Sequence, residues 1–161
     1  MEIALRWRPP PLRWYKVNVD GAILKELGHC GIEVVVQNDK GQIMGALSKL
    51  LPYPLGALET EAKAIEIGTI FAWELGLREI ILEGDSQIVR NAIGNHDPGP
   101  IQVQQLVVCI KSWESKFKAW KSSFTRREGK KATHLMARYA KQIFDCIIWV
   151  EDTPYNCFSN P

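Results

Sequence analysis

The sequence YKVNVDG at residues 15–21 alternates apolar and polar side chains with the two-residue period of a β-strand. Its apolar residues fall on one face, and its polar residues, the last of which is Asp20, fall on the other. Gly21 ends the alternation. The stretch therefore predicts a first strand whose last residue, Asp20, carries a carboxylate.

The residues that follow predict two more strands and then a long helix. Strands are expected at about 31–37 and 42–50, because Asn38-Asp39-Lys40-Gly41 between them has the residues of a hairpin turn. After two prolines the apolar period becomes helical from about 58 to 75, and Gly76 ends the helix. The buried stripe of this helix begins, unusually, with a carboxylate: Glu61, Ala64, Ile65, Gly68, Ala72 and Leu75.

The second half of the sequence alternates strands with helices. We predict a strand at 79–83, a short helix to about 93, a helix at 101–113, a strand at 119–125, a helix at 130–144 and an irregular tail from 145. The fold class is then α/β, with a five-stranded mixed sheet (three antiparallel strands, then two parallel) flanked by helices. Residues 1–13 are assigned to a lead-in linker, 14–146 to the domain and 147–161 to a C-terminal tail.

Composition limits the class of protein. A chain of 161 residues that is 46% hydrophobic and 24% charged is typical of one globular domain and argues against a disordered or fibrous protein. The four cysteines have no CxxC spacing, so neither a zinc site nor a redox pair is indicated. No apolar run approaches the ~20 residues that span a bilayer, and no signal peptide is evident. We expect no membrane association and an intracellular location, nuclear or cytoplasmic.

Basic residues are concentrated between residues 111 and 141, although the net charge of the whole chain is only +2. Glu114 and Glu128 are the only acids in that interval. A basic surface of this kind attracts phosphates, and the alternative is a solvated helix face.

Three acids stand where one site would need them. Asp20 and Asp85 each follow a predicted strand, and Glu61 heads the buried stripe of the helix. Taken singly, they would be explained by an Asp-Gly turn, a helix cap and the helix dipole. If they converge, their charges repel and require cations, for which carboxylate oxygens indicate Mg²⁺ or Mn²⁺. Two such ions ~3.5–4 Å apart catalyse phosphodiester hydrolysis.

Four motifs in order resemble those of a known family. They are Lys16 to Ala22, Thr60 to Ala64, Gly84 to Arg90 and the run from Arg127 to Ala137, which contains His134. Together with the proline-rich lead-in, they make the chain resemble a type 1 RNase H-like domain. The resemblance is closest to the reverse-transcriptase-associated kind that is abundant in plant genomes.

The resemblance implies a function and its site. Asp20, Glu61 and Asp85 take the metal-ligand positions and, with His134, the catalytic positions. The implied activity is metal-dependent endonucleolytic cleavage of the RNA strand of an RNA–DNA hybrid, with two Mg²⁺ or Mn²⁺ ions. Nucleic acid is the expected partner, and its contacts are assigned to five residues: Gly21, Ser86, Arg127, Lys130 and Lys131.

One departure from the family pattern keeps alternatives open. His134 stands where well-studied RNase H enzymes have a fourth acid, and a neutral imidazole brings no negative charge. A catalytically weak or inactive nucleic-acid-binding module on the same fold is therefore the main rival. A 3′–5′ exonuclease that uses a histidine is a third possibility, but the sequence lacks the Asp-x-Glu pair of that class after the first strand.

Overall fold

A mixed β-sheet organises the part of the chain that the computed structural model describes, which comprises residues 10–94, 99–124, 146–150 and 153–156. The strands in sheet order are β5-β4-β1-β2-β3-β6-β7. Their bounds in chain order are β1 Tyr15–Leu24, β2 His29–Gln37, β3 Ile43–Leu51, β4 Glu79–Gly84, β5 Ala119–Phe124, β6 Cys146–Val150 and β7 Thr153–Asn156. The helices are α1 Ala57–Glu74, α2 Gln87–Gly94 and α3 Gln104–Glu114, the last preceded by a 3-10 turn at Ile101–Val103.

The first three strands form the predicted antiparallel meander. The turn between β2 and β3 is built by Asn38, whose carbonyl accepts a hydrogen bond from the Gly41 N–H at 3.0 Å. The Asn38 side chain accepts two more, from the N–H groups of Lys40 and Gln42, each at 2.9 Å. Gly41 adopts φ +77°, a left-handed conformation that glycine accommodates without strain. The hairpin prediction is confirmed.

Strands β1, β4 and β5 form the parallel half of the sheet. The five strands predicted from the sequence, three antiparallel and then two parallel, are therefore present in the arrangement expected. The predicted helix at 130–144 lies outside the described residues. Within the described ranges, no helix has both the length and the apolar content needed to cross a membrane.

Two details of the sheet differ from the prediction. β1 does not end at Gly21 but continues to Leu24, still paired with β2. The tail beyond residue 145 was predicted to be irregular, yet it supplies β6 and β7, and β6 pairs antiparallel with β3. An edge strand offers unpaired backbone groups, and the β-prone run Cys146-Ile147-Ile148-Trp149-Val150 is suited to pair with them.

Helix α1 packs closely on the sheet because its buried stripe is made of small residues. Ala64 and Ala72 are fully buried. A Cβ atom placed on Gly68 would lie 2.5 Å from Cγ1 of Val19 on β1, a distance that real Cβ contacts do not reach. The predicted stripe is confirmed as buried from Ala64 to Ala72, whereas Glu61 and Leu75 at its two ends are half-buried. Glycine at position 68 sets how near the helix axis lies to β1.

Aromatic residues join α1 to α3 and fix the helical layer. The Trp73 ring makes edge contacts with Trp113 and Phe117, at centroid distances of 6.5 and 5.3 Å. Such pairs contribute about 0.5–1.5 kcal/mol beyond the burial of their area. This layer covers the apolar face of β1, β2 and β4 and holds α1 in a fixed position over the sheet.

Candidate metal centre

Parallel pairing of β1 and β4 brings two of the predicted acids together. Asn18 of β1 lies opposite Glu83 of β4. Asp20 comes two residues after Asn18 within β1, and Asp85 comes two residues after Glu83, just past the end of β4. Both acids therefore lie just beyond the last residues paired between β1 and β4. Asp20 does not begin a turn, since it lies within β1, four residues before the strand ends.

The third acid, Glu61, is placed by the packing of α1 across β1. A Cβ on Gly21 would lie 2.5 Å from Cγ2 of Thr60, so the first turn of α1 rests against the strand at that glycine. Thr60 also donates a hydrogen bond from Oγ1 to the Gly56 carbonyl at 2.8 Å. The start of α1 is thereby fixed, and Glu61, the next residue, faces the two aspartates.

The three carboxylates form one cluster. One oxygen from each of Asp20, Glu61 and Asp85 lies within 4.8 Å of the others. Asp20 is buried at 4% exposure, whereas Glu61 and Asp85 are partly exposed. The cluster is therefore anchored at the sheet and open to solvent on the side of the helix and the β4–α2 junction.

Backbone and side-chain donors hold the cluster in shape. The Gly21 N–H donates to Oδ1 of Asp20 at 3.0 Å. Ser86, next to Asp85, accepts the N–H of Val89 at 3.3 Å and so caps α2. The N-terminal ends of helices carry partial positive charge, which favours the neighbouring carboxylate of Asp85.

The donor set fits a hard divalent cation. Three carboxylate oxygens this close together repel one another unless a cation is present, and Mg²⁺ and Mn²⁺ prefer oxygen ligands. Partial exposure leaves room for water or a phosphate oxygen to complete the coordination of an ion. Asp20, Glu61 and Asp85 are the residues that would hold it.

Comparison with known proteins gives the family. A family model described as reverse transcriptase-like matches residues 18–140, about three quarters of the chain. The chain belongs to the reverse transcriptase-like family. This confirms the resemblance drawn from the four motifs. A search of curated protein sequences found no match.

Solved structures show that this reverse transcriptase-like domain has the RNase H fold. RNase H1 from the archaeon Halobacterium salinarum is 20% identical, with a TM-score of 0.71 over 80% of this chain and 98% of that one. The N-terminal RNase H domain of Rv2228c from Mycobacterium tuberculosis is 18% identical, with a TM-score of 0.71 over 80% and 94%. LC11-RNase H1, isolated from compost and solved in complex with an RNA/DNA hybrid, is 19% identical, with a TM-score of 0.61 over 76% and 92%.

The residues predicted to contact nucleic acid are only partly described. Gly21 lies beside the cluster, but the space at its Cα is taken by Thr60 of α1, which gives the glycine a structural reason. Ser86 caps α2 next to Asp85. Contact of these two residues with nucleic acid stays a prediction. The other four predicted site residues lie outside the described residues: Arg127, Lys130, Lys131 and His134.

The described part of the basic stretch is engaged in local contacts. Lys118 pairs with Glu79 at 3.2 Å, and the ammonium group of Lys121 lies 4.9 Å from the ring centroid of Trp14. Trp120 of β5 is half-buried and donates from Nε1 to Thr69 at 3.3 Å. These contacts favour a packing role for Trp120.

A fourth acid beside the cluster was missed by the sequence analysis. Glu33 of β2 lies directly opposite Asp20 in the β1–β2 pairing and is 0% exposed. Burial raises the pKa of Glu33 to about 8; the hydrogen bond from Ser48 lowers it, and the charge of Asp20 raises it further. The signal was available in Gly31-Ile32-Glu33-Val34-Val35-Val36, where one acid interrupts an apolar strand.

The same face of the sheet carries a buried ion pair. Nζ of Lys16 on β1 lies 2.8 Å from Oε1 of Glu83 on β4, and their side chains are 7% and 8% exposed. Asn18, between Lys16 and Asp20, donates from Nδ2 to Gln37 at 3.3 Å. The polar side of the strand that decides the fold is therefore enclosed rather than solvated, and Asp20 is at its end.

Proposed function

We propose that this protein is a metal-dependent endonuclease of the RNase H type that cleaves the RNA strand of RNA–DNA hybrids. The observation that carries the proposal is the convergence of Asp20, Glu61 and Asp85, whose carboxylate oxygens approach within 4.8 Å on an RNase H fold. The three acids come from a strand, a helix and a strand–helix junction that are far apart in the sequence. Three independent structural uses would not require them to meet.

Asp20, Glu61 and Asp85 would hold Mg²⁺ or Mn²⁺, as one ion or as a pair. A bound divalent ion of this kind activates water and neutralises charge on the scissile phosphate. The chain's contribution is to keep three negative charges together before the ion arrives. Rigid elements do this best, because displacements of about 1 Å weaken a site severely.

Each ligand is held by a different part of the fold. Asp20 is buried on β1, inside the sheet, with its Oδ1 fixed by the Gly21 N–H. Glu61 depends on the contact of Thr60 with Gly21, and Asp85 on the β4–α2 junction that Ser86 caps. Because Glu61 and Asp85 are partly exposed whereas Asp20 is buried, the phosphodiester would approach from their side.

The hybrid substrate is supported by a relative and by charge. LC11-RNase H1, which shares the fold, was solved with an RNA/DNA hybrid. The 2′-hydroxyl groups of the RNA strand are what distinguish it from DNA. The basic residues between positions 111 and 141 supply positive charge for phosphate contacts, which dominate affinity for nucleic acid.

A second candidate is a nucleic-acid-binding module without turnover. It is supported by the motif resemblance, which assigns His134 to the family position of a fourth acid, where a neutral imidazole brings no negative charge. A centre with one charge fewer binds cations more weakly. The two candidates share the fold and the partner and differ only in whether the phosphodiester is broken.

The test uses the full chain and a panel of labelled nucleic acids. RNA–DNA hybrid, RNA duplex and both single strands are incubated with wild type, Asp20→Asn and Asp85→Asn, first in Mg²⁺ and then in Mn²⁺. Glu66→Gln is the matched control, because Glu66 is an acid of α1 that pairs with Lys63 at 2.6 Å and is not part of the cluster. Binding is followed in parallel by fluorescence anisotropy.

The proposal predicts internal cuts confined to the RNA strand of the hybrid. Both aspartate variants should lose at least about a hundredfold in rate, since each removes a charge from the transition-state site. The Glu66→Gln control should keep the wild-type rate. Hybrid binding without cleavage in either metal would overturn the proposal in favour of the binding module. Stepwise shortening from a 3′ end would overturn it in favour of an exonuclease.

A further inference from the structure

Glu33 occupies the position next to Asp20 on the polar face of the sheet. The two residues are directly opposite across the antiparallel β1–β2 pair, so their side chains project from the same face. Directly opposite residues have Cβ atoms about 4.5–5.5 Å apart. Glu33 is fully buried, at 0% exposure.

The carboxyl group of Glu33 is only half satisfied. Ser48, opposite Glu33 on β3, donates from Oγ to Oε1 at 2.8 Å. Oε2 is buried and has no hydrogen-bond partner among the described residues. Burying an acid without a full set of partners is costly, and such groups are normally paired with a cation.

Glu83 shows how the same face neutralises another buried acid. Lys16 approaches its carboxylate to 2.8 Å. Within the described ranges, no lysine, arginine or histidine makes the corresponding ion pair with Glu33. Glu33 therefore lacks a protein cation there, and it lies beside a cluster that is itself suited to bind metal.

We propose that Glu33 is a fourth carboxylate ligand of the centre and holds, together with Asp20, a second divalent cation beside the one held by Asp20, Glu61 and Asp85. The inference rests on the proposed function and deepens it. Asp20 has two carboxylate oxygens, and its strand lies between β2, which carries Glu33, and β4, which Asp85 follows. Two ions that share such a ligand lie about 3.5–4 Å apart in hydrolytic centres.

Ser48 acts in this proposal as a positioning residue. Its hydroxyl holds Oε1 of Glu33 and leaves Oε2 for the ion. Hydrogen-bonded partners behind a ligand typically change metal affinity by about 10–100-fold when they are removed. With an ion bound, Glu33 would supply the centre with a fourth carboxylate ligand, which His134 does not.

The test is isothermal titration of MnCl₂ alone into the metal-free full chain. Wild type should bind two equivalents. Glu33→Gln should bind the first ion with an affinity within about threefold of wild type and bind the second ion at least about tenfold more weakly than wild type does. Ser48→Ala should weaken the second ion in the same sense but less. The matched control Glu66→Gln should bind both ions as wild type does, and thermal melts in EDTA report that every variant is folded.

Two equivalents bound by Glu33→Gln with wild-type affinities would overturn the proposal, as would one equivalent bound by wild type. Loss of both ions from folded Glu33→Gln would also overturn it, because Glu33 is assigned to the second ion alone. If Glu33→Gln does not fold, Ser48→Ala, which keeps the carboxyl group, decides the question. A cleavage assay on the same wild-type preparation separates this proposal from the proposed function. If wild type cleaves the hybrid and Glu33→Gln still binds both Mn²⁺ ions with wild-type affinity, only the role of Glu33 is refuted.

Discussion

Replacing Glu33 with glutamine should remove a pH dependence from the stability of the metal-free protein. The carboxyl group of Glu33 faces Ser48 and Asp20, and the Lys16–Glu83 pair lies on the same face of the sheet. Burial raises the pKa of Glu33 from its ordinary value of 4.5 to about 8. Between these values the folded chain keeps a proton that the unfolded chain releases.

The sign and size of the stability change follow from the difference between the ordinary and the raised pKa of Glu33. A folded-state pKa above the unfolded value stabilises the protein fully below pH 4.5, and the contribution is lost as the pH rises to about 8. Each pKa unit corresponds to about 1.4 kcal/mol, so the loss across this window reaches about 5 kcal/mol. That is a large part of the about 5–15 kcal/mol by which domains are stable.

Urea unfolding in EDTA, followed by circular dichroism at pH 5 and pH 8, measures the effect. The advantage of Glu33→Gln over wild type should grow by several kcal/mol between the two values. Ser48→Ala should extend the loss of stability to higher pH, because the hydrogen bond from Ser48 lowers the pKa of Glu33. If the free energy of unfolding changes equally with pH in wild type and Glu33→Gln, the raised pKa of Glu33 is refuted.

Three further predictions follow from the packing and the cluster. Gly68→Ala should lower the free energy of unfolding in urea by about 1–3 kcal/mol, because the added Cβ would overlap the Val19 side chain. Gly94→Ala, with open space at its Cβ, should be neutral or stabilising, and equal effects of the two substitutions would contradict the packing. Gly21→Ala should displace α1 and so weaken Mn²⁺ binding in calorimetry. Adding Thr60→Ser removes the overlapping methyl group and should restore binding, and a double variant without restored binding would contradict the Gly21–Thr60 contact. Saturating Mn²⁺ should stabilise wild type by about 2–4 kcal/mol in thermal melts and stabilise Asp85→Asn much less; equal stabilisation would contradict the assignment of Asp85.

Much of the fold was predictable because its signals are local. The first strand with Asp20 on it, the turn at Asn38 and the small-residue stripe through Gly68 are each signalled by residues of a single element, and each is confirmed. The meeting of Asp20 with Asp85 was predictable from the element order, since adjacent parallel strands end at the same edge of a sheet.

What the sequence did not predict depends on pairing between distant residues. β1 continues through Gly21 because β2 remains paired with it as far as Leu24. The residue is glycine because Thr60 of α1 occupies the space that a side chain would fill. β6 and β7 form because β3 offers an open edge. Glu33 was overlooked because a single acid in an apolar strand reveals its neighbours, Asp20 and Ser48, only when the strand register is known.

The chemistry of the cut ends tests the central claim most directly. In a hydrolase where Asp20, Glu61 and Asp85 would hold the metal that activates water, with the 3′-oxygen as the leaving group, the RNA of a hybrid should be left with 5′-phosphate and 3′-hydroxyl ends. Mass spectrometry of the fragments should show these ends for wild type in Mg²⁺ or Mn²⁺ and no fragments for Asp85→Asn. Fragments ending in 2′,3′-cyclic phosphate, or equal cleavage by Asp85→Asn, would contradict the account.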